Sequence, residues 1–199
     1  MQKERLGFNL VLLGQVAAGK DTQAKFLLEK YAFKPVESGK YWRKLAKEKS
    51  ERGEWLRRTM SKGFPAPVAL MKEFLVFNID KKPKNKDLLF VGNPRLKPEA
   101  QLLKKIFTEK KQDFFVLYIS LPDKDVYARS ALRNREAGDI EKKYIQNRIN
   151  YHKTQVSKTV AYFESLGKLK KINGKQSIEK VLTDIEKAIV GYKKKQNAK

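Results

Sequence analysis

Three short, largely apolar runs organise the chain: residues 8–13 (FNLVLL), 88–91 (LLFV) and 114–119 (FFVLYI). Each stops at a turn former, at Gly14, at Gly92 and at Leu121-Pro122-Asp123. Runs this short and this uniformly apolar predict strands buried on both faces. Two weaker candidates are Lys34-Pro35-Val36 and residues 168–172. The intervening segments carry helical spacing. From Gly19, Ala24, Phe26, Leu27, Leu28 and Tyr31 mark a first helix. Residues 40–80 are helical in pattern, with breaks expected at Gly53 and Gly63-Phe64-Pro65 and with Ser38 as N-cap. Further helices are predicted over 98–110, 123–135, 140–166 and 178–189. Strands alternating with helical crossovers predict an α/β fold around a five-stranded parallel sheet.

At 199 residues and 41% hydrophobic composition the chain suits one domain with a real core. Residues 1–192 are read as that domain and 193–199 as a basic tail that frays. The net charge of +23 calls for anionic partners without selecting among them. The absence of cysteine excludes disulfide and thiolate chemistry, and one histidine, His152, excludes a histidine metal cluster. His152 is expected to be packed or superficial, not a catalytic base. No run approaches the roughly 20 apolar residues of a membrane span, and the N-terminus lacks a signal-peptide pattern. A cytoplasmic location without membrane partners is expected.

The sharpest chemical signal is Gly14-Gln15-Val16-Ala17-Ala18-Gly19-Lys20, a G-x-x-x-x-G-K loop between a predicted strand and a predicted helix. Its glycines let successive backbone N–H groups face a phosphate, the helix N-terminus adds its dipole, and Lys20 adds a full charge. Asp21 stands where such loops usually place Ser or Thr, and Thr22 follows. Asp21 reads either as a helix-start acid favoured by the dipole or as a carboxylate associated with magnesium.

Gly19-Lys20-Asp21-Thr22-Gln23-Ala24 resembles the loop of the adenylate kinase family. Glu37-Ser38-Gly39-Lys40-Tyr41-Trp42-Arg43 resembles its S-T-G-D-x-x-R segment, and Val91-Gly92-Asn93-Pro94-Arg95 its D-G-F-P-R segment. Arg129, Arg133 and Arg148 then follow at the family's arginine positions, so the likeness covers about residues 7–190. The resemblance implies a P-loop NTPase fold with strand order 2-3-1-4-5, a helical monophosphate-binding insert at about 38–72 and a short lid at about 130–140 without zinc. It also implies a monomeric, ATP-dependent nucleoside monophosphate kinase, with AMP the first expectation as acceptor and Mg2+ bound with ATP. By the same resemblance the loop residues 14–20, Asp21, Thr22, Arg129 and Arg133 bind ATP. Ser38, Gly39, Arg43, Gly92, Arg95, Glu99 and Arg148 bind the monophosphate, and Lys20, Arg95, Arg129, Arg133 and Arg148 serve catalysis.

Three departures stand out. Val91 replaces the family's magnesium-orienting aspartate, for which Asp21 is the candidate substitute. Glu99 stands where glutamine commonly reads the acceptor adenine; ionised glutamate accepts only, which leaves the acceptor base open. The R-x-D-D motif is incomplete: Ala137, Asp139 and Ile140 occupy its positions, with Arg135 two residues before the arginine position. Among the aromatic residues, Trp42, Trp55, Phe64, Phe74 and Phe77 are expected in the core of the insert and in flap contacts. The alternative is a nucleotide-binding module with little or no transfer activity, associated with RNA or ribosomes through its charge, although no nucleic-acid motif supports it.

Overall fold

A computed structural model describes residues 3–62, 66, 68–135 and 142–198; for residues 68 and 133–135 it describes the backbone alone. The strands are β1 (Asn9–Gly14), β2 (Phe33–Val36), β3 (Asp87–Val91), β4 (Phe114–Ser120) and β5 (Leu169–Asn173). They form one parallel sheet in the order β2-β3-β1-β4-β5. The helices are α1 (Lys20–Lys30), α2 (Ser38–Leu45), α3 (Glu51–Ser61), α4 (Val68–Asp80), α5 (Lys97–Glu109), α6 (Asp123–Arg135), α7 (Lys142–Tyr151), α8 (Ser157–Ser165) and α9 (Ile178–Asn197). A π-turn, His152–Val156, joins α7 to α8. The sheet is the one the resemblance implied.

The apolar runs are uninterrupted because both faces of the sheet are covered. Along β1, Leu10 and Leu12 pack with Leu27 of α1 and Ile185 of α9 in one cluster. Val11 and Leu13 point the other way, into a second cluster with Leu103 of α5 and Phe163 of α8. The polar residue inside the run, Asn9, is buried and satisfied: its Oδ1 accepts from the Leu88 N–H at 2.9 Å.

Three boundaries differ from expectation. Ser38 is the first residue of α2, and Glu37 is its N-cap. Gly53 lies inside α3; Ser50 accepts from the Gly53 N–H at 3.1 Å and so starts the helix just before it. Lys193, Lys194 and Lys195 are helical, since α9 runs to Asn197. Val181, Ile185, Ile189 and Tyr192 form its buried stripe, and the Tyr192 hydroxyl donates to Asp113 Oδ2 at 2.8 Å, which anchors the helix beyond Ile189. Trp42 and Phe74 are buried as expected, whereas Trp55 and Phe77 are exposed (43% and 60%), and Phe64 lies outside the described residues.

Candidate active site

The loop after β1 is shaped by what its neighbours allow. A Cβ on Gly14 would stand 2.5 Å from the Ile119 carbonyl oxygen, so only glycine lets β1 end this close to β4. Gly19 is the N-cap of α1 at φ 88°, a left-handed conformation that favours glycine, and no side chain caps the helix. The amides and dipole of the α1 N-terminus therefore face the loop. Lys20 folds over this concavity, its Nζ donating to the Gly14 carbonyl at 3.0 Å and the Gln15 carbonyl at 2.6 Å. Gln15 offers only backbone here. Its Oε1 accepts from Leu121 N–H at 2.9 Å and its Nε2 donates to Asp123 Oδ1 at 3.2 Å, which ties the loop to the β4–α6 corner.

Opposite Lys20, β3 ends at Val91 and Gly92. A Cβ on Gly92 would stand 3.6 Å from Lys20 Cε and 3.7 Å from an Arg95 guanidinium nitrogen, so both cations reach over the same bare strand end. Arg95 is held at three points: Nε donates to the Gly92 carbonyl at 2.8 Å, the carbonyl accepts from Thr159 Oγ1 at 2.8 Å, and the N–H donates to Glu99 Oε2 at 2.8 Å. Burial, then the neighbouring Arg148, depress its pKa to about 10. Arg148 sits over the Tyr144 ring, 5.7 Å from its centroid. Two guanidinium groups thus converge at the end of β3, an arrangement suited to binding an anion.

Lys20, Asp21, Arg43, Gly92, Arg95 and Arg148 line one pocket of about 390 Å³, together with Val16, Ala17, Gly19 and Gly39. Ser38 lies in an adjoining recess with Trp42, Met60, Ala66 and Met71. Sequence reasoning missed Met60, Ala66 and Met71; nothing in their helical spacing separates a recess wall from a core position. Thr22 and Ala18 face another recess, shared with Arg129. Gly14 borders a small cavity beside His152.

Two expected site residues do not line the central pocket. Glu99 does not face the pockets. It is 2% exposed, and its Oε2 accepts from the N–H groups of Arg95 and Leu96, at 2.8 and 3.1 Å, capping α5. Its carboxylate holds the Arg95 backbone. Arg129 does not join the central arginines; it donates to the Gly174 carbonyl at 3.0 Å, on the α1 side of the loop. The side chains of Arg133 and Arg135 lie outside the description, and Ala137, Asp139 and Ile140, with most of the expected lid, lie outside the described residues.

His152 is packed, in the π-turn, with its Nε2 3.2 Å from the Tyr118 hydroxyl. Burial, then Lys20, lower its pKa to about 4. Folded and unfolded chains both hold it neutral above pH 6.5, so it contributes nothing there. Between about pH 6.5 and 4 the unfolded chain binds the proton first, and stability falls with pH by up to a figure on the order of 3 kcal/mol. His152→Gln is expected to flatten that limb; an equal loss of unfolding free energy between pH 7 and 4.5 in both proteins, from denaturant titrations, would contradict it.

No group of three or more metal-ligating side chains exists among the described residues. Val91 is buried and apolar, and the pocket carboxylates are Asp21 and Glu37, the latter paired with Lys40 at 2.6 Å. One available carboxylate fits a magnesium ion held mainly by nucleotide oxygens and water, the habit of that ion. Among the described residues no helix is long and apolar enough to cross a membrane.

Residues 12–168 match the family model described as adenylate kinase. The adenylate kinase of Bacteroides fragilis is 30% identical over 184 residues, covering 91% of this chain and 97% of that one. Those of Azobacteroides pseudotrichonymphae (29%, covering 91% and 96%) and Flavobacterium psychrophilum (28%, covering 91% and 97%) are similar to nearly the same extent. With the sheet order, the glycine loop and the facing arginines already in place, these matches establish that the chain belongs to the adenylate kinase family of nucleoside monophosphate kinases.

Proposed function

We propose that the protein transfers the γ-phosphoryl group of ATP to AMP. The observation that carries this reading is the convergence of Lys20, from the donor loop, with Arg43, Arg95 and Arg148 on one pocket. Donor phosphates lie on the loop 14–20 against the α1 N-terminus and Lys20. Arg129, beside Gly19 and Thr22, faces the donor's nucleoside end. The acceptor phosphate is gripped by Arg43 and Arg95, whose forked donors suit phosphate oxygens. Its base enters the recess of Ser38, Trp42, Met60 and Met71, whose apolar surfaces suit a flat ring.

Phosphoryl transfer requires in-line positioning and charge stabilisation more than covalent assistance. Lys20 stabilises charge on the donor side and Arg95 and Arg148 on the acceptor side, in a pocket whose carboxylates among the described residues are Asp21 and Glu37. The insert 38–72 and the lid 130–140, with Arg133, are proposed to close over the pair and exclude water, which would otherwise take the phosphoryl group. Magnesium bound with ATP supplies charge neutralisation, and Asp21 is the residue placed to hold its water shell. The enzyme is read as a cytoplasmic monomer.

The test is a coupled assay of ADP formation from ATP and Mg2+ with AMP, GMP, CMP and UMP in turn. AMP is expected to be the best acceptor. Preference for another monophosphate would move the reading to that base. Absence of transfer to all four, with ATP still bound, would favour the nucleotide-binding module instead.

A further inference from the structure

The two edges of the sheet are not alike. At β2, the Asp87 N–H donates to the Ala32 carbonyl, so in this parallel ladder Lys34 and Val36 face β3 while Phe33 and Pro35 face outward. Pro35 removes a donor from that edge, a common way of blunting it. At β5, the Val116 N–H donates to the Lys168 carbonyl and the Gly174 N–H to the Ser120 carbonyl. Lys170 and Ile172 therefore face β4, and the backbone donors and acceptors of Leu169 and Lys171 point away from the sheet. No proline interrupts this edge.

Beside it, between β5 and α9, runs a groove of about 880 Å³. Its floor includes Phe115 stacked on Tyr192, with ring centroids 4.2 Å apart. Ala188 and Gly191 keep it open, and a Cβ at Gly191 would meet nothing within 4 Å. A mid-helix glycine weakens a helix relative to alanine, and no packing contact requires it here. The charge is one-sided. The groove's single acid, Asp184, is engaged by Gln176 at 2.9 Å and Lys180 at 3.8 Å. Lys168 is spent on Asp113 and Lys171 on Glu164. Lys170, Lys187 and Lys195 are exposed and have no carboxylate partner among the described residues.

We propose that this edge binds an extended acidic polypeptide segment, which adds a strand to β5 and sets its carboxylates against Lys170, Lys187 and Lys195. The outward N–H and C=O groups select a polypeptide backbone, the apolar floor takes alternate side chains, and the lysines supply the charge match. A second copy of this chain would bring the same lysines against themselves, so like charge disfavours it. The segment spans about four to five residues, the length of β5 at roughly 3.3 Å per residue.

The probe is a fluorescein-labelled peptide of about eight residues alternating Val or Ile with Asp or Glu, titrated with the full chain by fluorescence anisotropy. The triple variant Lys170→Glu, Lys187→Glu, Lys195→Glu is expected to weaken binding more than about tenfold, while Lys81→Glu, Lys84→Glu, Lys86→Glu, at equal charge, changes it less than about twofold. The bound peptide is expected to protect the Leu169 and Lys171 amides from hydrogen exchange. Both triples are expected to retain kinase turnover and melting temperature, since none of these residues lines the nucleotide pockets. Absence of binding, or equal loss in both triples, would overturn the proposal, because attraction to the net charge alone predicts the latter. So would binding without protection of the Leu169 and Lys171 amides. A single-stranded RNA that displaces the peptide and itself depends on the same three lysines would make the groove a nucleic-acid surface. A dimer by sedimentation, lost in the first triple, would make it a self-association surface.

Discussion

Replacing Lys20 by alanine is expected to lower kcat by about three orders of magnitude or more, equivalent to roughly 4 kcal/mol of lost transition-state stabilisation. The ammonium is the only side-chain cation that the loop itself supplies, and it already bridges the Gly14 and Gln15 carbonyls across the concavity that is read as the phosphate site. Lys20→Arg is expected to be nearly as poor, since a planar fork does not replace a compact charge in that space. The check is kcat for ADP formation together with the melting temperature of each variant. The fold should be retained, because Lys20 packs against the pocket and not within either apolar cluster. Turnover within a few fold of the parent would remove Lys20 from the mechanism.

Arg95 should show the opposite balance between function and stability. Its guanidinium is held in a half-buried place beside Arg148, with its pKa driven down to about 10. A cation in that position opposes folding when no anion is bound. Arg95→Met is therefore expected to leave the ligand-free protein as stable or to stabilise it by on the order of 1 kcal/mol, despite the lost bond to the Gly92 carbonyl. The same change should raise the KM for the monophosphate about a hundredfold, within the ~2–5 kcal/mol range of a truncated charged contact, while the KM for ATP moves far less. Thermal melts without ligand and initial rates against each substrate decide the matter. A destabilised protein with both KM values raised equally would mark Arg95 as structural. By contrast, loss of Glu99 should act through the start of α5 and the Arg95 backbone, which its carboxylate holds at 2.8 Å.

The amino-acid sequence by itself determined the sheet and the glycine loop after β1. β1, β3 and β4 are legible because parallel strands covered by helices on both faces must be apolar at nearly every position, a pattern no exposed segment imitates. The loop is legible because a phosphate cradle needs glycine at fixed places, and Gly14 and Gly19 sit where a side chain would strike β4 or strain the helix start. Residue types with one dominant structural use are readable one at a time. What the tertiary structure decided depends on neighbours distant in sequence. Glu99 is spaced like a base-reading residue, yet the orphan amides of Arg95 and Leu96 at the start of α5 bind its Oε2. Gln15 belongs to the loop motif, yet its amide is spent on Leu121 and Asp123, more than a hundred residues away. The C-terminal lysines read as a loose tail until Tyr192 finds Asp113 and carries α9 onward beside an open strand edge. A side chain's partners are set by which groups the fold leaves unsatisfied beside it, and local spacing carries no record of that.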